Sequence, residues 1–368
     1  MNAYVKRDLY LNRLIVRRDN GQIKAVTGPR RSGKSFLLDP IYKDYLLSKG
    51  VPEDNIIIIS FDIEDEDTPQ ELLDREKLKE YLYSRIASQT ENYYVFLDEI
   101  QEVDGFERIV NGLNKRQNVD VYVTGSNSKF LSTEINTIFR GRSDEVSVLP
   151  FTFREFCQDR QESVNDLWKE YYTYGGLPAL RKMPTAEQKT TYLQKLWKKT
   201  YLDDVVERHN VENRDALEAI ADALCSSIGS LTNTTRITNT LGSVRKIKIT
   251  DDTVAKYIGY LEEAFLFNEA RRYNIKGNRY YENIKKYYSI DVGLRNARLN
   301  YRQLEQTHLM ENIIFNELLY RGYVVDVGVV EHRKMVDGKS EYKQYEVDFI
   351  ATDGNEKYYI QSAYEIET

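Results

Sequence analysis

Along the first 150 residues, short apolar runs rich in β-branched and aromatic side chains alternate with stretches of helical length. The runs are Ile23 to Thr27, Asn55 to Phe61, Tyr93 to Glu99 and Val119 to Gly125, and an amphipathic segment from Lys34 to Ser48 follows the first. Strand alternating with helix at this spacing predicts a parallel sheet covered by helices on both faces. Residues 144–151 read as a last strand and the pattern changes at Pro150, so an α/β domain is expected over 1–150. Residues 151–212 read as a helical lid or linker rich in Tyr and Trp, with a turn marked by Gly175, Gly176 and Pro178.

Residues 213–291 follow another rhythm. Three helical segments, 214–228, 235–241 and 250–264, precede two strand-like runs, the order of a winged helix-turn-helix. Thr250 is placed to cap the third helix, and Val254, Tyr257, Ile258 and Leu261 recur at helical spacing and are expected in the core. Residues 305–368 read as a helix, then strands separated by turns at Asp337-Gly338 and Asp353-Gly354, the last strand running to Tyr364.

The chain has 368 residues, room for two or three domains, and a formal charge of −6 with 30% charged side chains. That excludes a uniformly basic nucleic-acid coat protein and a low-complexity disordered chain. Apolar runs stop far short of the roughly 18 residues a membrane span needs, and the charged N-terminus has no apolar signal core, so a cytoplasmic protein without membrane contact is expected. Cys157 and Cys225 have no metal or redox spacing and read as core or neutral surface.

The chemistry begins at Gly28-Pro29-Arg30-Arg31-Ser32-Gly33-Lys34-Ser35, which fits GxxxxGK[ST] at every defined position. Glycine is needed because the loop wraps a phosphate with inward-pointing N–H groups, and the helix that follows presents its positive end. Lys34 is expected to reach the β and γ phosphates of ATP, and the Ser35 hydroxyl to ligate Mg²⁺. The strand from Tyr93 ends in Asp98 and Glu99, the first expected to hold Mg²⁺ through water and the second to act as general base on the attacking water. A Glu beside the Asp favours a hydrolase over a small-molecule kinase. The strand 55–61, lying between the two motifs in sequence, is expected to insert between their strands in the sheet, which gives the additional-strand, catalytic-Glu topology. Thr124, Ser126 and Asn127 end the next strand as candidate γ-phosphate sensors, and Arg140 and Arg142 are candidates for a charge-neutralising arginine.

Together these motifs, with VLPFTFREF, GGLPAL and the segment from ENIIFNELLYRG to EVDFI, resemble the bacterial and archaeal AAA-type ATPases that carry a C-terminal domain of unknown function. The resemblance covers essentially the whole chain. It implies an ATPase core, a winged-helix region and a module similar to the PD-(D/E)XK nuclease fold, and it places Lys34, Ser35, Asp98 and Glu99 at nucleotide binding and hydrolysis, Ser126 at a sensor position and Arg142 at the arginine position. In the nuclease scheme Glu311 or Glu317, Asp348 and Gln361 fit the carboxylate and polar positions, but Ala363 stands where the lysine belongs, so cleavage is not expected. Relatives continue further, and the segment 305–368 is therefore expected to be incomplete.

Two partners fit. Between residues 233 and 290 eleven basic side chains face six acidic ones on an otherwise acidic protein, which favours duplex DNA. The alternative is a nucleotide-dependent switch acting on a protein partner, with Tyr pairs such as Tyr171-Tyr172 and Tyr287-Tyr288 furnishing an interface. Arg142 acts on its own nucleotide or on that of a neighbour in a homo-oligomer.

Overall fold

The structure is a computed structural model describing residues 4–62, 69–125, 138–139, 141–336 and 339–364. Two compact units, Met1–Leu149 and Pro150–Thr368, divide the chain. No helix among the described residues is long and apolar enough to cross a membrane.

The first unit is built on five parallel strands, β1 (Ile23–Thr27), β2 (Ile56–Ser60), β3 (Tyr93–Asp98), β4 (Val119–Thr124) and β5 (Ser143–Ser147), in the order β2-β3-β4-β1-β5. β1 bonds to β4 on one edge and to β5 on the other, and all five of its residues are buried. The strand between those of the phosphate loop and the carboxylates is therefore β4, not the expected 55–61 segment, which forms the edge strand β2. Topological class survives this correction, because any one inserted strand separates the two motifs equally.

Alternation along the strands sorts the two faces. Ile23, Ala25, Val95, Leu97, Val121 and Val123 pack on Leu78, Leu82, Ile109 and Val110 from the helices Arg75–Arg85 and Phe106–Leu113. Toward the other face, Lys24 and Asp120 form a fully buried ion pair across β1 and β4. The Tyr122 hydroxyl donates to Asp120 at 2.7 Å and lies 2.7 Å from the Tyr42 hydroxyl. Burying this pair is tolerable because the Asp120 carboxylate has other donors, the Asp19 N–H among them at 3.0 Å.

The second unit opens with short helices whose caps are legible. Thr152 and Glu155 form a capping box at Phe153–Phe156, and Ser163 caps Val164–Tyr174. That helix stops at Gly175 (φ 79°), where an added Cβ would sit 2.1 Å from Asp291 Oδ1. The Gly176 N–H instead donates to Asp291 Oδ2 at 2.7 Å, and Leu294 N–H to Oδ1 at 3.0 Å. The glycine pair lets the backbone come within hydrogen-bonding reach of a buried carboxylate.

Helices Arg214–Ser226, Thr234–Thr240 and Asp251–Glu263 share one core that includes Leu217, Ile220, Ile237 and the expected Val254, Tyr257, Ile258 and Leu261. Thr250 caps the third through the Thr253 N–H. The hairpin that follows, β6 (Phe267–Asn274) and β7 (Arg279–Ser289), does not stand apart as a wing. β6 pairs in parallel with β8 (Val324–Val336), and with β9 (Lys339–Asp353) and β10 (Glu356–Ile360) they form one sheet in the order β10-β9-β8-β6-β7. Helix Gln306–Arg321 covers one face of it, packing Phe315 and Leu318 on Ala270, Tyr288, Val325 and Phe349. The last strand ends at Ile360, so Gln361 and Ala363 follow the strand rather than extend it, because Asp348 holds Ser362 instead of a ladder partner. Asp337-Gly338 lies outside the described residues.

Burial drives the Asp291 carboxyl up to about 6 from an ordinary 3.8, against the pull of its N–H donors. Its folded pKa is raised, so between pH 4 and 6 the unfolded chain gives up this proton first, and folding loses up to about 3 kcal/mol across that window. Urea unfolding of wild type and Asp291→Asn at pH 4, 5 and 6 should show a stability difference that shifts toward the variant as pH rises. A constant difference would mean that Asp291 titrates normally.

Candidate functional site: a phosphate loop facing a carboxylate strand

In a parallel sheet every strand delivers its C-terminal end to the same edge, so the loops after β1, β3 and β4 meet there. After β1 the backbone turns through positive φ at Gly28 (131°), Arg31 (63°) and Gly33 (93°). A Cβ on Gly28 would lie 2.2 Å from the Val148 carbonyl, so only glycine lets the loop leave the sheet beside β5. The Lys34 ammonium, nearly inaccessible, donates to the Gly28 and Pro29 carbonyls at 3.1 and 3.0 Å. Burial lowers its pKa, an effect opposed by the nearby Glu99 and Asp98 carboxylates. Ser32 Oγ is buried with no hydrogen-bond partner among the described residues. The helix that starts at Lys34 carries the expected 34–48 segment, with its turn broken at Asp39, where the backbone is extended ahead of Pro40.

Asp98 collects the other parts of the site. Its Oδ1 accepts from the Ser35 hydroxyl at 3.0 Å and from the Thr124 hydroxyl at 2.5 Å. Burial raises the Asp98 pKa, and the Thr124 hydrogen bond opposes that rise. Glu99 takes a left-handed backbone (φ 50°), uncommon for a residue with a side chain, and its N–H donates to Thr124 Oγ1 at 2.9 Å. Gln101 Nε2 donates to Glu99 Oε2 at 2.5 Å, while Gln101 Oε1 is buried without a partner among the described residues. A hydroxyl and a carboxylate 3.0 Å apart beside a buried ammonium form an oxygen-rich donor set that fits Mg²⁺ carried with a nucleotide phosphate.

Thr124, weighed above as a sensor, instead has its hydroxyl committed to the two carboxylate residues. Ser126, Asn127 and Arg140 lie outside the described residues. Arg142 is exposed, and its carbonyl accepts from the Ile23 N–H at 2.8 Å. That places its backbone at the entry end of β1, about 13 Å of strand from the loop that leaves the other end.

A model of the AAA domain matches residues 20–157, and a model of a domain of unknown function (DUF8612) matches 165–305. An uncharacterized protein of Haemophilus influenzae is 35% identical over 369 residues, covering 99% of this chain and 88% of the relative. The chain belongs to this family of AAA ATPases. An uncharacterized protein of Methanocaldococcus jannaschii is 29% identical over 358 residues, 94% of this chain and 75% of the relative. Among solved structures, a Walker-type ATPase of Pyrococcus abyssi shares the fold, with a TM-score of 0.56 at 16% identity over 80% of this chain and 96% of that one.

Two further contributors to the candidate site carry little or no signal in the sequence. Arg7 is buried ahead of the N-terminal helix Asp8–Arg17 and donates to the Ser32 carbonyl at 3.0 Å and the Leu149 carbonyl at 2.7 Å, stacked on Tyr10. It ties the phosphate loop to the end of the unit, and no local motif announces it. Gln101 had a weak signal, a polar side chain two positions beyond the Glu.

The ATPase's second unit holds another polar centre. Glu311 from the covering helix accepts from Lys286 of β7 at 2.9 Å and from the Tyr288 hydroxyl at 2.7 Å, and Lys286 also reaches Glu346 of β9 at 2.7 Å. Asp348 accepts from the Ser362 N–H at 2.7 Å and from its hydroxyl at 2.8 Å. Glu317 pairs with Arg321, away from this cluster. Two lysines near Asp348 and Gln361 in sequence point elsewhere, Lys357 over the Tyr273 ring and Lys343 over the Tyr345 ring. The lysine among these carboxylates is Lys286, from a strand remote in sequence. Burial alone would lower its pKa, but Glu311 and Glu346 outweigh that and raise it, so the ammonium stays charged.

Lys286→Met should therefore strand two carboxylates and cost about 3 kcal/mol in chemical denaturation, the scale for breaking one partner of a buried pair. Glu311→Gln in the same chain should recover part of that loss. A Lys286→Met protein as stable as wild type would show that the cluster is solvated.

Proposed function

We propose that this ATPase hydrolyses Mg²⁺-bound ATP at the edge formed by β1, β3 and β4. One observation carries the assignment: Ser35 and Thr124 hydroxyls converge on a single Asp98 oxygen beside Lys34, with Glu99 next in chain. The loop of Gly28, Pro29, Arg30, Arg31, Ser32 and Gly33 wraps the phosphates, the backbone N–H groups coming from every one of these residues but Pro29, and Lys34 exchanges its two loop carbonyls for phosphate oxygens. Ser35 and Asp98 hold Mg²⁺, which neutralises charge on the β and γ phosphate oxygens when bound. Glu99 takes the proton of the attacking water, and Gln101 fixes the rotamer of its carboxylate. Thr124 orients both carboxylate residues, and Ser126 is assigned as the γ-phosphate sensor on the resemblance alone.

Arg142 serves a neighbouring copy. Its place at the entry end of β1 is too far from its own loop for an arginine to span, so a homo-oligomer is required for it to meet a γ-phosphate.

We further propose that nucleotide state is coupled to nucleic acid bound by the second unit. Lys246, Lys248, Lys256, Arg271, Lys276 and Arg279 are exposed there. Several of the basic residues in this segment already have acidic partners, Arg245 with Asp222, Arg271 with Asp326, Lys285 with Glu269 and Lys286 with Glu311, and Arg272 is buried. Asp251, at the start of the third helix, accepts a hydrogen bond from Thr235.

Lys34→Ala should abolish ATP binding, whereas Glu99→Gln should bind ATP and lose turnover by two orders of magnitude or more, about the scale of a lost general base. Gln101→Ala should lower kcat with little change in ATP affinity. Equal ATP affinity in wild type and Lys34→Ala would sink the site assignment. Mixing inactive Lys34→Ala with inactive Arg142→Ala should restore turnover, since hybrid assemblies pair an intact site with an intact arginine. If mixing restores nothing, Arg142 does not act between copies.

A further inference from the structure

The sheet β10-β9-β8-β6-β7 has one face under helix Gln306–Arg321, and its other face carries a different chemistry. Phe349 and Ala351 point to the helix, so Ile350 and Thr352 point away, and pairing places Tyr359 and Lys357 of β10 beside them. Asp326 pairs with Ile350 on β8, and Tyr273 of β6 pairs with Tyr280 of β7. Gly328 leaves room for Ile275 and Ile350 to close into an apolar floor.

On that floor, rings and cations interleave. Tyr273 and Tyr280 meet edge to face at 5.1 Å. The Arg271 guanidinium lies 4.1 Å from the Tyr280 ring centroid, and the Lys357 ammonium 5.7 Å from that of Tyr273. Tyr280 and Tyr359 are 42% and 56% exposed, and the Arg271 side chain is 52% exposed. Lys276 and Arg279 extend the positive charge around the β6–β7 turn. The carboxylate beneath, Asp326, is buried and accepts from the Tyr280 hydroxyl at 2.9 Å.

We propose that this uncovered face is a binding platform for single-stranded nucleic acid. Arg271 lies 3.9 Å from the Asp326 carboxylate, so an apolar partner would desolvate that ion pair together with the Lys357 ammonium, and an acidic protein would make no use of the exposed rings. A single strand satisfies both, since its bases stack on Tyr faces while its phosphates meet the cations. A duplex hides its base faces and would use only the charges. The inference rests on the reading of the second unit as a nucleic-acid binder and narrows it to one surface and one strand state.

The test uses the full chain carrying Lys34→Ala, so that failure of ATP chemistry cannot mask the outcome. Fluorescence anisotropy with labelled dT20, U20 and a 20-base-pair duplex at 50 and 200 mM salt gives the affinities. Expected are tighter binding of the single strands than of the duplex, and a 10-fold or greater loss for Tyr280→Ala with Tyr359→Ala, since each stack is worth about 1–3 kcal/mol. Tyr280→Phe, which keeps the ring and removes the hydroxyl, should bind as the parent does. Lys357→Ala should lower the salt slope by about one ion. The difference between dT20 and U20 identifies DNA or RNA as the natural strand. The platform is overturned by equal losses in the Ala pair and the Phe variant, by binding that responds only to Lys246→Ala with Lys248→Ala, or by no single-strand binding at 50 mM salt. Duplex binding with single-strand binding absent would keep the broader reading and remove this one.

Discussion

β1 is hydrogen-bonded along both edges to parallel neighbours, and the geometry of the candidate site is a consequence of that constraint. A strand paired on both sides has no freedom of register, so the residue after Thr27 must leave the sheet where Val148 crosses it. Only a backbone without Cβ passes at that distance, which is why Gly28 opens the loop. The same pairing sets β4 next to β1 and β3 next to β4, so that Thr124 and Asp98 end side by side. The Lys24 and Asp120 pair, buried between β1 and β4 and braced by Tyr122, lies toward the opposite end of these strands. A slip of one residue would turn both charges onto the apolar face.

The edge that carries the candidate site is consequently held by short polar links. One Asp98 oxygen takes two hydroxyls, the Thr124 hydroxyl also receives the Glu99 N–H, and Gln101 holds the Glu99 carboxylate. One of these links, from the Glu99 N–H to the Thr124 hydroxyl, also satisfies the backbone where it turns into its left-handed conformation. Arg7 extends this logic beyond the sheet by giving the phosphate loop and Leu149 a shared donor.

The second unit obeys a different economy. Its five-stranded sheet is antiparallel except where β6 meets β8, and among the described residues a helix covers one of its faces. The covered side gathers the Glu311 and Glu346 carboxylates around the single Lys286 ammonium, while the other side keeps Tyr280, Tyr359 and Arg271 partly in water. Joining the hairpin to the C-terminal strands is what brings Lys286 to Glu346, which a free-standing wing would not do.

Local signals in the sequence were enough for the strands of the first unit, the phosphate loop, the Asp-Glu pair, the Thr250 cap and the apolar stripe of the third helix. Each of these depends on neighbours within a few positions, where backbone geometry and side-chain period decide the outcome. The order of strands was not of that kind: β2 and β4 are both short apolar runs, and which one lies beside β1 is settled by packing across the whole sheet. Nor could sequence reveal that the Thr124 hydroxyl joins the Asp98 carboxylate to the Glu99 N–H, that Arg142 stands at the far end of β1, that β6 pairs with β8, or that Lys286 rather than Lys343 or Lys357 meets the Glu311 carboxylate. Those are contacts between segments up to 142 residues apart, such as Arg7 with Leu149, and their energies exist only once the tertiary structure has brought buried charges and unpaired backbone groups together.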